Sequence, residues 1–211
     1  MKDYVTDGYI AGEQINLWHK IFFNNVDVKN KRVVDIGCAA GMFSREVVNK
    51  GGECIAIDLN PNLKEVVEKK GIKFLSGTLE NNYEAVIEFK PDIIVALEVI
   101  EHLYDPYPLV LKSKDVFKQI GNKGEIYLST PNFFSISRAI DFILFQRHRD
   151  PLYDVVALGN DAEHVRGYSH GMVVKLLENC GFKVSNRDIL SRSIPFLYKY
   201  FSKGIIVRGR T

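Results

Sequence analysis

Short apolar runs alternate with amphipathic stretches along most of the chain, and this alternation predicts strands and helices in turn. The predicted strands are residues 32–36, 53–58, 72–77, 92–98, 125–130, 182–190 and 203–209. A helix is predicted from about Ile10 to Asn24 before the first strand, and another from about Met42 to Lys50 after it. The order is therefore a βα alternation preceded by one helix.

Turn-forming residues support the helix boundaries. Asn60-Pro61 and Asp105-Pro106 each place a capping side chain directly before a proline, which suits the first helical position. Gly71 and Gly181 stand where a helix would end on a left-handed glycine.

The predicted strands 32–36 and 92–97 are apolar on both faces, as buried parallel strands are, so helices should cover both sides of the sheet. The connection at about 191–202 is too short for a crossover helix, so the last two strands should be antiparallel neighbours. We predict an α/β, Rossmann-like sheet of seven strands, mostly parallel with one antiparallel edge strand.

Length and composition fit one soluble domain spanning residues 1–211, with 46% hydrophobic and 26% charged residues. Within it we expect residues 1–30 to form an N-terminal lid or cap and residues 132–168 to form an insertion on the substrate side. The three cysteines form no C-x-x-C pair, and no apolar stretch has the length of a signal peptide or a spanning helix. These features predict a cytoplasmic protein, neither secreted nor integral to a membrane.

The turn after the first predicted strand has the composition of a nucleoside-binding site. Gly37 and Gly41 lack a Cβ, so the backbone there can approach a ligand closely. Asp58 ends the second predicted strand, where a carboxylate accepts both hydroxyls of a ribose.

Dinucleotides are disfavoured at this turn, because Ala39 and Met42 replace two glycines of the G-x-G-x-x-G pattern. Asp35 would repel a pyrophosphate, whereas its charge suits a sulfonium or ammonium group. The run Val-Val-Asp-Ile-Gly-Cys-Ala-Ala-Gly resembles the first motif of class I S-adenosylmethionine-dependent methyltransferases, usually Val-Leu-Asp-Ile-Gly-Cys-Gly-x-Gly, with Ala39 in place of the middle glycine.

The resemblance implies S-adenosylmethionine as cofactor, with the methionine part near the glycine turn, the ribose on Asp58 and the adenine near the end of the third strand. The candidate cofactor-binding residues are Asp35, Gly37, Cys38, Gly41, Asp58, Leu59, Thr78, Leu79 and Leu97.

A second set of polar residues follows the fourth predicted strand. Glu98, Glu101 and His102 are spaced i, i+3 and i+4, so they would share one face of a helical segment, and His164 is a candidate fourth member. The four side chains could hold a divalent cation that lowers the pKa of an acceptor hydroxyl. Alternatively, His102 or His164 acts as a general base, with Glu101 as a further catalytic candidate, or the set only satisfies backbone groups.

The segment Leu-Glu-Val-Ile-Glu-His-Leu-Tyr-Asp-Pro resembles the ubiquinone-biosynthesis type of O-methyltransferase. It implies O-methylation of a small molecule or of a glycan- or lipid-type acceptor. The Glu-x-x-Glu-His run also resembles the metal site of small-RNA 2′-O-methyltransferases, but their further histidine-rich motif is missing, so we do not expect a nucleic-acid partner. The alternatives are an RNA 2′-O-methyltransferase, a non-catalytic S-adenosylmethionine-binding module and an NAD-dependent oxidoreductase, the last opposed by the missing glycines.

We also make predictions for three segments outside the cofactor turn and the loop after the fourth strand. Residues 133–149 combine an aromatic, apolar helical stripe with a basic end, which suits a cap on an apolar pocket or a peripheral contact with an anionic membrane. The segment Glu-His-Val-Arg-Gly-Tyr-Ser resembles one in the same methyltransferase group and implies that Arg166 and Tyr168 contact the substrate. Tyr4, Tyr9 and Trp18 either form part of a lid over the cofactor or dock a peripheral helix. The sequence gives no indication of the oligomeric state.

Overall fold

The computed structural model describes residues 15–133, 135–136, 140, 143, 165–185, 189–190 and 204–211. Its helices are α1 (Leu17–Asn25), α2 (Met42–Asn49), α3 (Lys64–Glu68), α4 (Tyr83–Phe89), α5 (Tyr107–Gln119) and α6 (His170–Asn179), with 3₁₀ turns at Pro61–Leu63 and Ile100–His102. Its strands are β1 (Arg32–Ile36), β2 (Glu53–Asp58), β3 (Lys73–Ser76), β4 (Ile93–Leu97), β5 (Glu125–Pro131), β6 (Ile189–Leu190) and β7 (Gly204–Arg210).

The strands form a single sheet in the order β3-β2-β1-β4-β5-β7-β6. Strands β1 to β5 are mutually parallel, and β7 runs antiparallel to both of its neighbours. The predicted α/β architecture and the antiparallel pairing of the last two strands are confirmed. Six strands have four to seven residues, whereas β6 has only two.

Two details of the predicted sheet are wrong. The reversed strand β7 lies inside the sheet rather than at the edge, because its backbone pairs with β5 on one side and with β6 on the other. The strand predicted at 182–190 is also shorter: in the described part of that range, only Ile189–Leu190 pairs as a strand, with an isolated bridge at Lys183.

Capping residues lie at or within one residue of the predicted helix boundaries. The Asn60 side chain accepts a hydrogen bond from the Asn62 amide, and Pro61 occupies the first helical position. The second predicted boundary is displaced by one residue, because Pro106 is itself the cap of α5 and Tyr107 is the first helical residue; the Asp105 carboxylate accepts from the Tyr107 amide at 3.0 Å. Gly71 and Gly181 follow α3 and α6 with φ values of +76° and +82°. The first helix begins at Leu17 under the cap Asn16; the predicted start near Ile10 lies outside the described residues.

Successive residues of the strands pack into two apolar layers, one on each face of the sheet. On one face, Val34 and Ile94 belong to a cluster that includes residues of α4, α5 and α6. On the other, their neighbours Val33 and Ile93 pack with residues of α1 and α2. Helices therefore cover both faces, as predicted, and leave the carboxyl ends of the parallel strands as the edge on which a ligand site can form.

The first helix is anchored through Trp18. A Cβ added to Gly204 on β7 would overlap the Trp18 indole, so the ring lies directly against the sheet. This contact favours the docking interpretation of Trp18, whereas Tyr4 and Tyr9 lie outside the described residues. The three cysteines are buried and free. Across the described part of the chain, no helix combines the length and apolarity needed to cross a membrane.

Candidate active site and cofactor cradle

The turn between β1 and α2 adopts a conformation that favours glycine. Gly37, Ala39 and Gly41 have φ values of +72°, +47° and +75°, all in the left-handed region. The turn is fixed by hydrogen bonds from the Gly37 amide to the Ile57 carbonyl at 2.8 Å and from the Gly41 amide to the Cys38 carbonyl at 2.9 Å. Ala39 tolerates its positive φ within this bonded frame, so the small-residue turn forms without the middle glycine.

The carboxylate of Asp58 ties this turn to the end of β2. Its Oδ2 accepts from the Ala39 amide at 3.0 Å, and its Oδ1 accepts from the Asn60 amide at 2.9 Å. Each carboxylate oxygen has a second lone pair, so both can also accept from a ligand hydroxyl. The next residue, Leu59, is 67% exposed and offers an apolar surface beside that carboxylate.

Asp35 and Cys38 are buried below the turn. The Oδ2 atom of Asp35 accepts from the Ser44 hydroxyl at 2.5 Å, which ties β1 to the first turn of α2. Burial raises the pKa of Asp35 to about 7, and the charge of Asp58 adds to this shift. Burial also raises the pKa of Cys38, so that side chain is a neutral thiol.

The end of β3 contributes a third segment to the same edge. The Gly77 amide donates to the Asp58 carbonyl at 2.8 Å. Thr78 is held by Asn81, whose Oδ1 accepts from the Thr78 hydroxyl at 2.9 Å and from its amide at 3.0 Å. Leu79 is only 1% exposed, so its side chain belongs to the core and only its backbone is available to a ligand. Sequence reasoning missed Asn81, although the Thr-x-x-Asn spacing is typical of such a local side-chain turn.

Glu98 follows β4 in a strained conformation. Its φ is +59°, unusual for a residue with a side chain. Its amide donates to the Ser129 hydroxyl at 2.9 Å, and that hydroxyl donates to its Oε1 at 2.8 Å. Burial raises the pKa of Glu98 to about 7, partly offset by the bond from Ser129. Strain held in place by a reciprocal hydrogen-bonded pair is typical of functional sites. Sequence reasoning missed Ser129, because nothing in the local sequence links it to Glu98.

Glu101 is fully buried next to Glu98. Neither of its carboxylate oxygens has a hydrogen-bond partner among the described residues. Burial raises the pKa of Glu101 to about 8, and the charge of Glu98 contributes, against smaller opposing effects of the Glu101 backbone amide and the Thr130 hydroxyl. Two neighbouring carboxyl groups in such surroundings do not both ionise readily, so this pair retains a proton near neutral pH.

The predicted helical face for these residues is wrong. Glu98 precedes a 3₁₀ turn of three residues, Ile100–His102, so only Glu101 and His102 are in helical backbone. Leu97 ends β4 and is 8% exposed. Among the described residues, no three His, Cys, Asp or Glu side chains are arranged to hold a metal ion, and His164 lies outside them.

The two residues expected to contact the substrate both bond to backbone carbonyls of the segment after β4. A guanidinium nitrogen of Arg166 donates to the Tyr104 carbonyl. Tyr168 is 4% exposed, and its hydroxyl donates to the Ile100 carbonyl at 3.4 Å.

Little of the segment 133–149 can be compared with its prediction. Ile136, Ile140 and Ile143 are helical. Ile140 is 45% exposed and Ile143 is 72% exposed. The basic cluster at 147–149 lies outside the described residues.

Comparisons with known proteins agree on one family. A family model described as a methyltransferase domain matches residues 15–187. The ubiquinone biosynthesis O-methyltransferase of Haemophilus ducreyi is 26% identical over 132 residues, 56% of this chain and 55% of the relative. The enzyme of the same name from Xylella fastidiosa is 30% identical over 115 residues, 51% of this chain and 44% of the relative. The chain thus spans about half the length of the curated relatives it matches.

Solved structures share the fold at low sequence identity. An S-adenosylmethionine-dependent methyltransferase from Mesorhizobium loti has a TM-score of 0.63 and 17% identity, covering 92% of this chain and 97% of its own. One from Archaeoglobus fulgidus has a TM-score of 0.59 and 16% identity, covering 92% of this chain and 93% of its own. With the family match over residues 15–187, these findings show that the chain belongs to the methyltransferase domain family.

Proposed function

We propose that this protein transfers the methyl group of S-adenosylmethionine to an oxygen of a small-molecule acceptor. The observation that carries the proposal is the hydrogen bond between the glycine turn and Asp58, at the same sheet edge as the half-buried Glu98 and the buried Glu101. The family supports the cofactor, and the relatives named ubiquinone biosynthesis O-methyltransferase support an oxygen acceptor, in the first instance an aromatic hydroxyl.

The cradle fits the proposed cofactor in its chemistry. The Asp58 carboxylate keeps free lone pairs for the ribose hydroxyls, and the exposed Leu59 can cover one face of the adenine. The left-handed Gly37 and Gly41 leave bare backbone for the methionine part. When bound, S-adenosylmethionine supplies an electrophilic methyl group on a sulfonium.

The residues after β4 then act on the acceptor. We assign proton removal from the acceptor hydroxyl to this loop, in which His102 is half-buried and Glu101 is fully buried. A carboxyl group whose pKa lies near neutrality is suited to exchange a proton at physiological pH. His164 remains the second candidate base. Holding the acceptor oxygen in line with the methyl group contributes a large share of the rate in such transfers.

A divalent cation is the alternative arrangement, and one observation favours it. The oxygens of Glu101 are buried without a hydrogen-bond partner among the described residues, so a cation would compensate their charge. Glu98, Glu101, His102 and His164 would hold it, and it would lower the pKa of the acceptor hydroxyl. Incubation with EDTA followed by Mg²⁺ tests the cation: activity lost and then restored supports it, whereas indifference to chelation removes it.

Thermal-shift titration with S-adenosylhomocysteine and with NAD⁺ tests the cofactor. We expect stabilisation by S-adenosylhomocysteine alone, and stabilisation only by NAD⁺ would overturn the proposal. Transfer of a tritiated methyl group to 4-nitrocatechol or to a short RNA tests the acceptor. Label on the catechol supports the proposal, label on the RNA alone favours the 2′-O-methyltransferase, and cofactor binding without transfer to any acceptor favours the non-catalytic module.

We also propose that residues 133–149 contact either an apolar acceptor or an anionic membrane. The exposure of Ile140 and Ile143, both in helical backbone, supports an apolar contact there. Co-sedimentation with phosphatidylglycerol vesicles tests the membrane: binding that is lost in Ile143→Glu supports it, and no sedimentation of the wild-type protein excludes it.

A further inference from the structure

Residues 165–168 lie across the loop that carries the two glutamates, and we call these four residues the clasp. The amides of Val165 and Arg166 both donate to the Glu101 carbonyl, at 2.8 and 3.2 Å. The Arg166 guanidinium donates to the Tyr104 carbonyl, and the Tyr168 hydroxyl donates to the Ile100 carbonyl.

The clasp thus occupies three carbonyls in a stretch of five residues, Ile100 to Tyr104. A 3₁₀ turn of three residues leaves most of its carbonyls without partners inside the turn, so their bonds must come from elsewhere. The Glu101 carbonyl accepts from two amides of the clasp, whereas the Ile100 carbonyl also accepts from the Leu103 amide at 3.3 Å. The donor to the Tyr104 carbonyl, just beyond the turn, carries a positive charge, which strengthens its hydrogen bond.

The other side of the clasp is fixed to the end of β5. Tyr168 forms a parallel bridge with Asn132, and the Phe133 amide donates to the Tyr168 carbonyl at 3.0 Å. A Cβ on Gly167 would lie 3.0 Å from Cγ of Phe133, so the Gly167 backbone lies directly against the Phe133 side chain. The clasp therefore bridges β5 and the loop after β4, and it directly follows the long connection 134–164.

We propose that Arg166 and Tyr168 are positioning residues, which fix Glu101 and His102 for methyl transfer rather than contacting the acceptor. This inference rests on the proposed function for its catalytic consequence. The guanidinium of Arg166 donates to the Tyr104 carbonyl, and the hydroxyl of the buried Tyr168 donates to the Ile100 carbonyl, so both side chains bond to the backbone of the loop. In these bonds the clasp holds the backbone carbonyls of the loop rather than its side chains.

The test combines hydrogen exchange with kinetics in the full-length chain. Arg166→Met keeps the length and packing of the side chain but removes its donors, Arg166→Lys restores one charged donor, and Tyr168→Phe removes only the hydroxyl. The control is Lys118→Met, which removes an exposed cation at the far end of α5. Amide exchange is followed for residues 99–105 and 165–166, and initial rates are measured with 4-nitrocatechol.

We expect Arg166→Met to speed amide exchange at 165–166 and to lower kcat about tenfold, with the KM for 4-nitrocatechol changed by less than about twofold. Arg166→Lys should recover part of both effects, Tyr168→Phe should show smaller effects in the same direction, and Lys118→Met should show none. A raised KM with unchanged kcat and unchanged exchange would instead make Arg166 an acceptor contact and overturn the proposal.

The exchange measurement separates the clasp from the proposed function. It needs no acceptor, so unchanged exchange in Arg166→Met refutes the clasp even if the enzyme is active. Faster exchange in a protein that binds S-adenosylhomocysteine but methylates no acceptor would uphold the clasp as a structural bridge while refuting its catalytic role.

Discussion

Replacing Glu101 by glutamine should flatten the dependence of folding stability on pH. The pKa of this buried carboxyl is about 8 in the folded protein against an ordinary value of 4.5. Between these two values the folded state keeps a proton that the unfolded chain has released, so the free energy of unfolding falls as the pH rises. Glutamine has no such proton, so the variant lacks this fall.

The size of the effect follows from the shift. One pKa unit corresponds to about 1.4 kcal/mol, so the full shift sets an upper bound of about 5 kcal/mol between pH 4.5 and pH 8. Glu98 shares the titration with Glu101, and its own pKa is raised to about 7, so we expect roughly half of that bound, about 2 to 3 kcal/mol. The buried amide of glutamine adds a cost that does not depend on pH, and the comparison between two pH values removes it.

Urea denaturation at pH 5 and pH 8 measures this difference. With an m-value of about 2 kcal/mol/M, the midpoint of the wild-type protein should fall by about 1 M more than that of Glu101→Gln between the two pH values. Glu68→Gln, at an exposed position on α3, is the matched control and should behave like the wild type. Parallel pH profiles for wild type and Glu101→Gln would refute the reasoning and would show that a further group or ion already neutralises the carboxylate.

Two other substitutions test the turn and the strained glutamate. Gly37→Ala should lower the free energy of unfolding by about 2 kcal/mol or more, because φ is +72° and the new Cβ would lie 2.5 Å from Cγ2 of Val99; a loss in urea denaturation below about 0.5 kcal/mol would contradict this. Ser129→Ala removes a hydroxyl that stabilises ionised Glu98, so the pKa of Glu98 should rise and the acid limb of the pH–rate profile should move to higher pH. An unmoved acid limb would show that ionised Glu98 is not required.

The fold could be predicted from the sequence because its signals are local and repeated. Apolar runs, capping asparagines and terminal glycines each report on their own neighbourhood, and they located β1, β2 and β4 closely. The position of β7 between β5 and β6 could not be read in this way, because strand order depends on which neighbours bury its apolar run.

The candidate site was predictable in its residues but not in its geometry. The spacing of Glu98, Glu101 and His102 suggested a continuous helix, whereas Glu98 takes a left-handed conformation held by Ser129, which lies thirty-one positions further along the chain. The hydrogen bond of the Arg166 guanidinium likewise depends on a partner distant in sequence, the carbonyl of Tyr104. Contacts of this kind join segments that are distant in sequence and meet only in the folded chain.

The central claim is that the cradle around Asp58 binds an adenosyl cofactor, and isothermal titration calorimetry with S-adenosylhomocysteine tests it most directly. The matched pair is Asp58→Asn and Asp27→Asn, since Asp27 also accepts from the amide two residues later, at 2.9 Å, but lies far from the cradle in the sequence. We predict binding to the wild type and to Asp27→Asn, and binding at least about tenfold weaker to Asp58→Asn, because a carboxylate bond to a ribose hydroxyl is charge-assisted. No binding to the wild type, or equal affinity in Asp58→Asn, would contradict the account.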